Sequence, residues 1–202
     1  MDIKQKMREI LEAESKAVAQ IPVTDAYEQA VNLIVERVHH GGGKLVTSGM
    51  GKCGQIADNI ATTFSSTGIP AVFLHPSEAQ HGDLGVLQHG DVILLLSNSG
   101  RTSEIVALVD LAKELYPELK FIVITGNKDS KLAHHADVCL WTGGAPEVCP
   151  LGLTPTTSTT MMTVIGDVLV VNTMLATGFS REEYGKRHHG GYLGQLSRHT
   201  QK

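Results

Sequence analysis

The chain has 202 residues, of which 42% are hydrophobic, and its formal net charge is −4. This length suits one α/β domain with a full core, and the slightly acidic balance argues against nucleic-acid binding, which usually needs a basic surface. Its 3 cysteines include no pair with metal-ligand spacing, so neither a zinc site nor a disulfide framework is expected. The N-terminus is charged and amphipathic, and no apolar run of about 18 residues is evident, which predicts a cytoplasmic protein without membrane contact.

Residues 1–40 are predicted to contain two helices. In residues 2–20, Ile3, Met7 and Ile10 recur at helical spacing among Lys and Glu residues. A second helix is expected to begin with Thr24 as its N-cap and to end at glycines 41–43. Two helices ahead of the first strand form an arm that must pack against something, such as another subunit.

Residues 41–202 are expected to form the core, in which short apolar runs alternate with helical segments. Five runs are continuously apolar and are predicted to be strands buried on both faces. The strands are predicted at 44–47, 71–74, 92–96, 121–125 and 138–141, and the helices between them at 52–66, 103–115 and 130–136. This order predicts an α/β fold: a three-layer α/β/α sandwich with a five-stranded parallel sheet of the flavodoxin-like kind.

The last third of the chain changes in character. Residues 143–155 contain Gly, Pro and Cys and are predicted to form a loop, followed by a long apolar helix over 156–176 and a short helix over 180–186. The tail beyond them is rich in Gly and His. No repeat, linker or low-complexity tract divides the chain, so residues 1–202 are expected to form a single domain.

A glycine-rich loop follows the first predicted strand. Its sequence, SGMGKCG over residues 48–54, matches G-x-G-x-x-G, a pattern that lets the backbone approach a phosphate. A dinucleotide site would place an acidic residue at the end of the second strand, but His75 and Pro76 stand there. A tight turn without a ligand is another interpretation. Lys52 is the one cationic residue of this loop, and its positive charge favours an anionic substrate.

A second polar loop, SNSGRTSE over residues 97–104, follows the third predicted strand. Its four hydroxyl groups stand at the start of a helix, where backbone N–H groups and a partial positive charge also favour a phosphate. Competing N-caps would explain Ser and Thr residues there as well. One cap needs a single hydroxyl, so four favour phosphate binding, although the loop lacks the spacing of a nucleotide P-loop.

The blocks SGMGKCG, HPSEAQHGDLG, SNSGRTSE, EVCPLGLTPTTSTT and HHGGYLG appear in this order. Over residues 24–194 the chain resembles the arabinose 5-phosphate isomerases of the SIS (sugar isomerase) domain family. The resemblance implies a tetramer, or otherwise a dimer, with sites at subunit borders. It also implies interconversion of D-arabinose 5-phosphate and D-ribulose 5-phosphate, which supplies synthesis of KDO, the acidic sugar of lipopolysaccharide and some capsules.

Three departures from the family pattern bear on these expectations. Many members continue into a pair of CBS domains, whereas this chain ends at Lys202 and resembles a single-domain form. Arg101 and Thr102 replace the Glu-Ser that is usual in the serine loop. His189 replaces a proline in the tail, which leaves the choice between His188 and His189 open.

The family pattern implies that Lys52, Glu104, Glu147 and His188 form the catalytic group. Moving a proton between C1 and C2 through an enediol needs a base and a group that stabilises the oxyanion. Partial burial of Glu147 is expected to raise its pKa and make it the C–H base, whereas a helix start lowers the pKa of Glu104. Each residue also has a simpler interpretation: a helix-stabilising carboxylate, a solvated loop residue, a surface lysine or an exposed histidine.

The residues expected to contact the phosphosugar lie at the strand ends. They are Ser48, Gly49, Gly51, His75, His81, Ser97, Asn98, Ser99, Thr102 and Ser103. The cluster of His75, Glu78, His81 and Asp83 contains zinc-type ligands, but its spacing matches no zinc signature. We therefore expect His75 and His81 to contact the sugar and to be able to trap an inhibitory metal, with no metal or cofactor required.

Two other functions remain open from the sequence. SIS domains also occur in regulators that sense sugar phosphates, although such regulators usually carry a DNA-binding domain and only about 40 residues precede the predicted sheet. Another SIS isomerase, acting on a different phosphosugar, is the second alternative. The CPLGLTPTTST block argues against it by resemblance.

Overall fold

The computed structural model describes residues 1–198, in which a five-stranded parallel sheet lies between two layers of helices. The strands are β1 (Leu45–Gly49), β2 (Ala71–Phe73), β3 (Val92–Leu96), β4 (Lys120–Thr125) and β5 (Val138–Trp141). The helices are α1 (Ile3–Ala19), α2 (Ala26–Ile34), α3 (Lys52–Ser66), α4 (Pro76–Ala79), α5 (Ser103–Leu115), α6 (Lys131–His135), α7 (Thr157–Thr177), α8 (Arg181–Arg187) and α9 (Gly191–Arg198). A π-helical segment (Val35–His40) extends α2, and a 3₁₀ turn (Asp83–Val86) precedes β3.

The strand order is β2-β1-β3-β4-β5, and every neighbouring pair is parallel. Leu45 lies opposite Ala71 on one side and Val92 on the other, so the strand order reverses between β1 and β3. The three inner strands are buried along nearly their whole length, as their continuous apolar runs predict. That prediction is wrong for β2 and β5, which are partly exposed because each is an edge strand with one neighbour.

Side chains that alternate along the strands fill two separate cores. On one face of the sheet, Leu45, Val92 and Ile122 pack with residues of α2, α3 and α7. On the other face, Val46 and Ile93 pack with residues of α4, α5 and α6. The predicted three-layer α/β/α sandwich with a parallel sheet is therefore confirmed.

The N-terminal helices lie against the first of these cores. The inner face of α2 is buried, whereas α1 buries Ala17 and leaves most of its apolar stripe, including Met7, exposed. The expected cap is wrong: Asp25 takes the N-cap position and makes no side-chain cap bond. Thr24 instead accepts a hydrogen bond from the Tyr27 N–H through its carbonyl at 3.2 Å, which forms a turn ahead of the helix.

Most other predicted boundaries lie within a residue or two of the observed ones. Helix α4, the 3₁₀ turn and α9 are not among the elements predicted from the sequence. A proline at the first helical position marks α4, and that signal is a recognised helix start. Helix α9 contains glycines at 191 and 194, which lower the helix propensity of the tail.

Helix α7 confirms the long apolar helix predicted over 156–176, but it contradicts the expectation that no apolar run of about 18 residues is present. Its 21 residues satisfy the length and hydropathy criterion for a membrane span, with 39% of the apolar window buried within the structure. Met162, Ile165 and Leu169 pack in the core between α7 and the sheet. A Cβ on Gly166 would lie 2.6 Å from the side chain of Ile60, so the glycine lets α3 and α7 pack closely.

The end of β1 and the start of α3 approach each other through two glycines. A Cβ on Gly49 would lie 2.7 Å from the carbonyl carbon of Cys53, and one on Gly54 would lie 2.6 Å from the Gly49 carbonyl oxygen. Both obstacles are backbone atoms, which cannot move aside as a flexible side chain can. These glycines therefore fix how tightly the first loop turns from strand to helix.

Replacing Gly49 with Ala should lower the free energy of unfolding by about 1–3 kcal/mol, because the overpacked backbone has to shift. Urea denaturation followed by circular dichroism measures this change. Gly85→Ala is the matched control, since a Cβ at Gly85 meets nothing within 4 Å. Equal stability of Gly49→Ala and the unmodified protein would contradict the close approach of β1 and α3.

Candidate functional site

The loops that follow β1 and β3 lie side by side at the carboxyl edge of the sheet, because these strands are neighbours. They flank the point where the strand order reverses, which is where open α/β sheets bind ligands. The helices that follow have 15 and 13 residues, and neither α3 nor α5 has a side-chain cap among the described residues. Two helix N-termini with unsatisfied backbone N–H groups therefore border one crevice.

The loop after β1 offers mainly backbone groups to that crevice. Gly51 has φ +57° and ψ −126°, a conformation suited to glycine, and both Gly51 and Lys52 are exposed. The Lys52 Nζ lies 3.4 Å from Gln55 Oε1. Ser48 is buried, and its Oγ donates to the Leu74 carbonyl at 2.6 Å. This hydrogen bond joins β1 to the chain after β2, so the Ser48 hydroxyl proton does not point at the crevice.

The loop after β3 uses its hydroxyl groups largely to form its own turn. Ser97 Oγ accepts from the Gly100 N–H at 3.2 Å and lies 2.9 Å from Thr102 Oγ1. Ser99 Oγ accepts from the Arg101 N–H at 3.2 Å and donates to no other group in residues 1–198. The turn is therefore preformed, and the Ser99 hydroxyl and the helix N–H groups remain as donors to a ligand.

Cys53 and Asn98 connect the two loops. Burial raises the pKa of the Cys53 thiol, the Asn98 backbone N–H partly opposes this, and the negative charge of Glu147 raises it further. The Asn98 side chain packs against the chain after β4, where a Cβ on Gly126 would lie 2.2 Å from Asn98 Oδ1. The Cys53 Sγ lies 3.8 Å from Met162 Sδ of α7, and the charge of Glu147 acts on the same thiol. The loop that carries Glu147 therefore lies near the start of α3.

Glu104 lies in the first turn of α5, directly after the serine loop. Its own backbone N–H and the Ser103 hydroxyl, which donates at 2.9 Å, lower the pKa of this exposed carboxyl group. The expected lowering at a helix start is confirmed, and Glu104 is ionised at neutral pH.

Glu147 is held by the first turn of α7. Its Oε2 accepts from the Thr156 N–H at 2.7 Å, the Thr156 Oγ1 at 2.8 Å and the Ser158 N–H at 3.2 Å. Partial burial raises the pKa of Glu147, but the hydrogen bonds from Ser158 and Thr156 outweigh burial, and its pKa lies below the ordinary value. The expectation that burial brings this pKa toward neutrality is therefore wrong.

The predicted catalytic residues Lys52, Glu104 and Glu147 lie at or beside the starts of α3, α5 and α7, without direct contacts among themselves. Lys52 reaches Gln55, Glu104 accepts from Ser103 and Glu147 accepts from the start of α7. No hydrogen bond or ion pair joins Lys52, Glu104 and Glu147 in the described part of the chain. A substrate between them can therefore reach all three without first breaking an ion pair.

His75 stands at the end of β2, as the N-cap residue of α4. Its Nδ1 is buried and has no hydrogen-bond partner among the described residues, and its ring meets the edge of the Phe73 ring at 6.3 Å. The Ser77 hydroxyl lies 3.9 Å from Met50 Sδ, which holds α4 beside the first loop. His75 is therefore placed next to the crevice.

His81 is exposed in the turn after α4. Within residues 1–198 no group of three or more His, Cys, Asp or Glu side chains is arranged to hold a metal ion. The sequence cluster of His75, Glu78, His81 and Asp83 therefore does not assemble into a metal centre within this chain.

His188 lies near the opposite edge of the sheet. The neighbouring residue Arg187 packs at Gly68, just beyond the end of α3, together with the ring of Phe179. A Cβ on Gly68 would lie 2.9 Å from the Phe179 ring. Helix α3 starts at the crevice and its 15 residues span about 22 Å. The His188 ring stacks on Tyr184 at 3.6 Å between centroids. His188 is therefore not brought together with Lys52, Glu104 and Glu147 of the same chain.

The hydroxyl groups at the start of α7 bind Glu147 and its loop, a role that is not among the predictions from the sequence. Thr156 and Ser158 bind the Glu147 carboxylate, and the Thr157 hydroxyl accepts from the Val148 N–H at 3.1 Å. The sequence does carry a signal, because consecutive Thr and Ser residues at a helix start are hydrogen-bonding groups near unsatisfied N–H donors.

Cys149 lies in the same loop and is partly exposed. The Thr154 hydroxyl, followed by the backbone N–H groups of Leu151, Leu153 and Thr154, lowers the pKa of this thiol to about 6. Burial instead raises the pKa of the Cys53 and Cys139 thiols. The three cysteines therefore differ in charge at neutral pH, with only Cys149 a thiolate.

The fold and the crevice define an α/β protein in which the point of strand-order reversal is suited to a small anionic ligand. Residues 41–172 match the SIS domain family, and the chain belongs to that family. It is 69% identical to a Bacteroides fragilis structure described as a candidate phosphosugar isomerase involved in capsule formation, with a TM-score of 0.93 over 94% of this chain and 99% of that one.

Two further relatives share less of the sequence. The E. coli CFT073 protein c3406, solved in complex with arabinose 5-phosphate, is 36% identical with a TM-score of 0.83, over 93% of this chain and 97% of that one. Arabinose 5-phosphate isomerase KdsD of Shigella flexneri is 45% identical over 195 residues, or 96% of this chain. The alignment spans 58% of the KdsD chain's own length.

Cys149 should react with iodoacetamide in a profile that is half-maximal near pH 6, because the thiolate is the nucleophile. Cys53 and Cys139 should stay nearly unreactive at neutral pH. Peptide mass spectrometry of samples quenched across a pH series gives each rate separately. Thr154→Val should move the Cys149 profile to higher pH, and a Cys149 profile like that of a free cysteine would refute the hydrogen-bonded arrangement.

Proposed function

We propose that the chain is an aldose–ketose isomerase that interconverts D-arabinose 5-phosphate and D-ribulose 5-phosphate through an enediol. The observation that carries this proposal is the 45% identity to KdsD, in a chain whose two helix N-termini and two carboxylates border one crevice. The arabinose 5-phosphate bound by the 36% identical E. coli protein supports the same substrate class.

The crevice supplies a place for each part of the substrate. The N–H groups of α3 and α5, with Asn98 and Ser99, suit a phosphoryl group. Glu147 or Glu104 is then the base for C1 and C2, and Lys52 stabilises the oxygen of the enediolate. His75, with its unpartnered Nδ1, suits a sugar hydroxyl. Since these steps are proton transfers, no metal or cofactor is needed, and His75 with His81 forms at most an inhibitory metal site.

We further propose that residues 1–202 work as one domain in a homo-oligomer, with a tetramer favoured over a dimer. Helices α1 and α2 pack on α7, which supports a single unit. His188 lies far from the crevice of its own chain, so a neighbouring subunit must supply it. The exposed apolar face of α1 and the exposed Val171 and Leu175 of α7 offer surfaces for such contacts.

The setting that we propose is cytoplasmic, with no membrane or nucleic-acid partner. Arabinose 5-phosphate would supply KDO for lipopolysaccharide or capsule, and the 69% identity to a structure associated with capsule formation supports the second destination. One observation favours a non-catalytic sensor as a second candidate. Both carboxyl groups have a lowered pKa, which makes each a weaker base than the reaction ideally uses.

Incubation with chelator and ribulose 5-phosphate should yield arabinose 5-phosphate, whereas a panel of other ketose phosphates should be turned over slowly. Glu147→Gln and Glu104→Gln should each lower kcat roughly 100- to 10,000-fold, the range expected for loss of a general base or acid. Glu114→Gln, on the exposed side of α5, is the control and should keep full activity. Unchanged kcat in both site variants would remove the base assignment, and no turnover of any sugar phosphate would favour the sensor.

Sharing of His188 between subunits predicts complementation. Glu147→Gln and His188→Ala should each be nearly inactive alone, whereas co-expression of the two should restore about a quarter of the sites, because each intact site takes its glutamate and histidine from different chains. Activity of the purified mixed oligomer measures this. Failure of complementation, with both parents folded and the oligomer mixed, would contradict a shared site.

A further inference from the structure

The N-terminus of α7 is capped from outside the helix. Its N-cap residue, Thr156, makes no side-chain cap bond to the helix. The carboxylate of Glu147, nine positions earlier in the chain, accepts instead from the Thr156 N–H at 2.7 Å and the Ser158 N–H at 3.2 Å. A carboxylate at a helix N-terminus is favoured by the helix dipole as well as by these donors.

The Thr156 hydroxyl is a further hydrogen-bond donor to Glu147, in addition to the backbone N–H groups. Its Oγ1 donates to the same Glu147 oxygen, Oε2, at 2.8 Å. Oε2 therefore accepts three hydrogen bonds, and the Ser158 hydroxyl also helps to lower the pKa of this carboxyl group. Oε2 is the more firmly held oxygen, and Oε1 is the freer of the two.

The loop between these residues is also fixed at its backbone. The Thr157 hydroxyl accepts from the Val148 N–H at 3.1 Å and donates to Glu14 Oε1 of α1 at 2.9 Å. The Gly152 N–H donates to the Cys149 carbonyl at 2.8 Å. The Thr156 Oγ1 also lies 3.3 Å from the Thr154 carbonyl oxygen of the loop, but its shorter contact, at 2.8 Å, is to the carboxylate. Because the loop is already held by other bonds, the Thr156 hydroxyl acts mainly on the carboxylate.

We propose that Thr156 is a positioning residue for the isomerase, holding one oxygen of Glu147 so that the other faces the substrate as an ionised acceptor. This inference rests on the proposed function and adds to it a residue that does not touch the sugar. It explains why one threonine directs both of its donors at a single carboxylate oxygen.

Other charged and titratable groups around Glu147 do not replace these bonds. Lys6, Glu9 and Lys16 of α1 line a cavity of about 740 Å³ together with Glu147, but no ion pair joins them to it within residues 1–198. The Cys53 thiol of α3 is neutral because burial raises its pKa. In the same loop, Thr154 and nearby backbone N–H groups lower the pKa of the Cys149 thiol. The start of α7 therefore dominates the environment of the carboxylate.

Thr156→Val removes the hydroxyl and keeps the shape and the backbone N–H. We expect kcat to fall roughly 10- to 100-fold, as for loss of a hydrogen bond to a charged group, with KM changed less than about twofold because the phosphate loops are untouched. The acid limb of the kcat/KM profile should move to higher pH, because Glu147 loses a donor that lowers its pKa. Thr156→Ser should restore both kcat and the pH profile.

Thr160→Val is the matched control on the same helix turn, since the Thr160 hydroxyl is exposed and donates to the Thr156 carbonyl at 3.2 Å. It should behave like the unmodified enzyme. Thermal unfolding checks that Thr156→Val folds, and Thr156→Ala replaces it if it does not. An unmoved acid limb with unchanged kcat in the folded variant would overturn this inference. An inactive unmodified protein would instead refute the isomerase proposal.

Discussion

The side-by-side start of α3 and α5 is the constraint on which the rest of the site depends. Two parallel neighbouring strands end at the same edge, and each delivers its helix with backbone N–H groups unsatisfied. Close glycine packing at Gly49 and Gly54 keeps the first helix near its strand. The two helix dipoles place partial positive charge at this edge of the sheet in a chain with a net charge of −4. Any anion bound here is held by dipoles and local donors, because the overall charge opposes binding.

The N-terminus of α7 also attracts an anion through its backbone N–H groups and helix dipole. At α7 the anion is part of the protein, the carboxylate of Glu147. This explains why its pKa is lowered although the group is partly buried: donors that stabilise the charged form outweigh desolvation. Two helix starts therefore remain open to a ligand, while one is already occupied by a residue proposed for chemistry.

The sheet was predictable from the sequence because inner strands, which are buried on both faces, need continuous apolar runs. Val92–Leu96 is such a run, and all five of its residues are buried. The glycine and serine loops were predictable because their residue types suit tight turns at strand ends. The role of Ser48 was not, since its bond to Leu74 depends on the pairing of β1 with β2. The lowered pKa of Glu147 was equally hidden, because its donors come from the first turn of a helix whose approach only the fold determines.

In the proposed isomerase, a bound phosphoryl group changes the balance that lowers the pKa values of Glu104 and Glu147. A phosphate dianion at the start of α5 neutralises the partial positive charge that favours an ionised Glu104. Its own negative charge also disfavours ionised carboxylates nearby, which raises their pKa. Exclusion of water from the crevice acts in the same direction, while the hydrogen bonds from Thr156 and Ser158 persist at Glu147. Under the proposed function, substrate binding therefore makes both carboxylates stronger bases, and Glu147 keeps the more fixed geometry of the two.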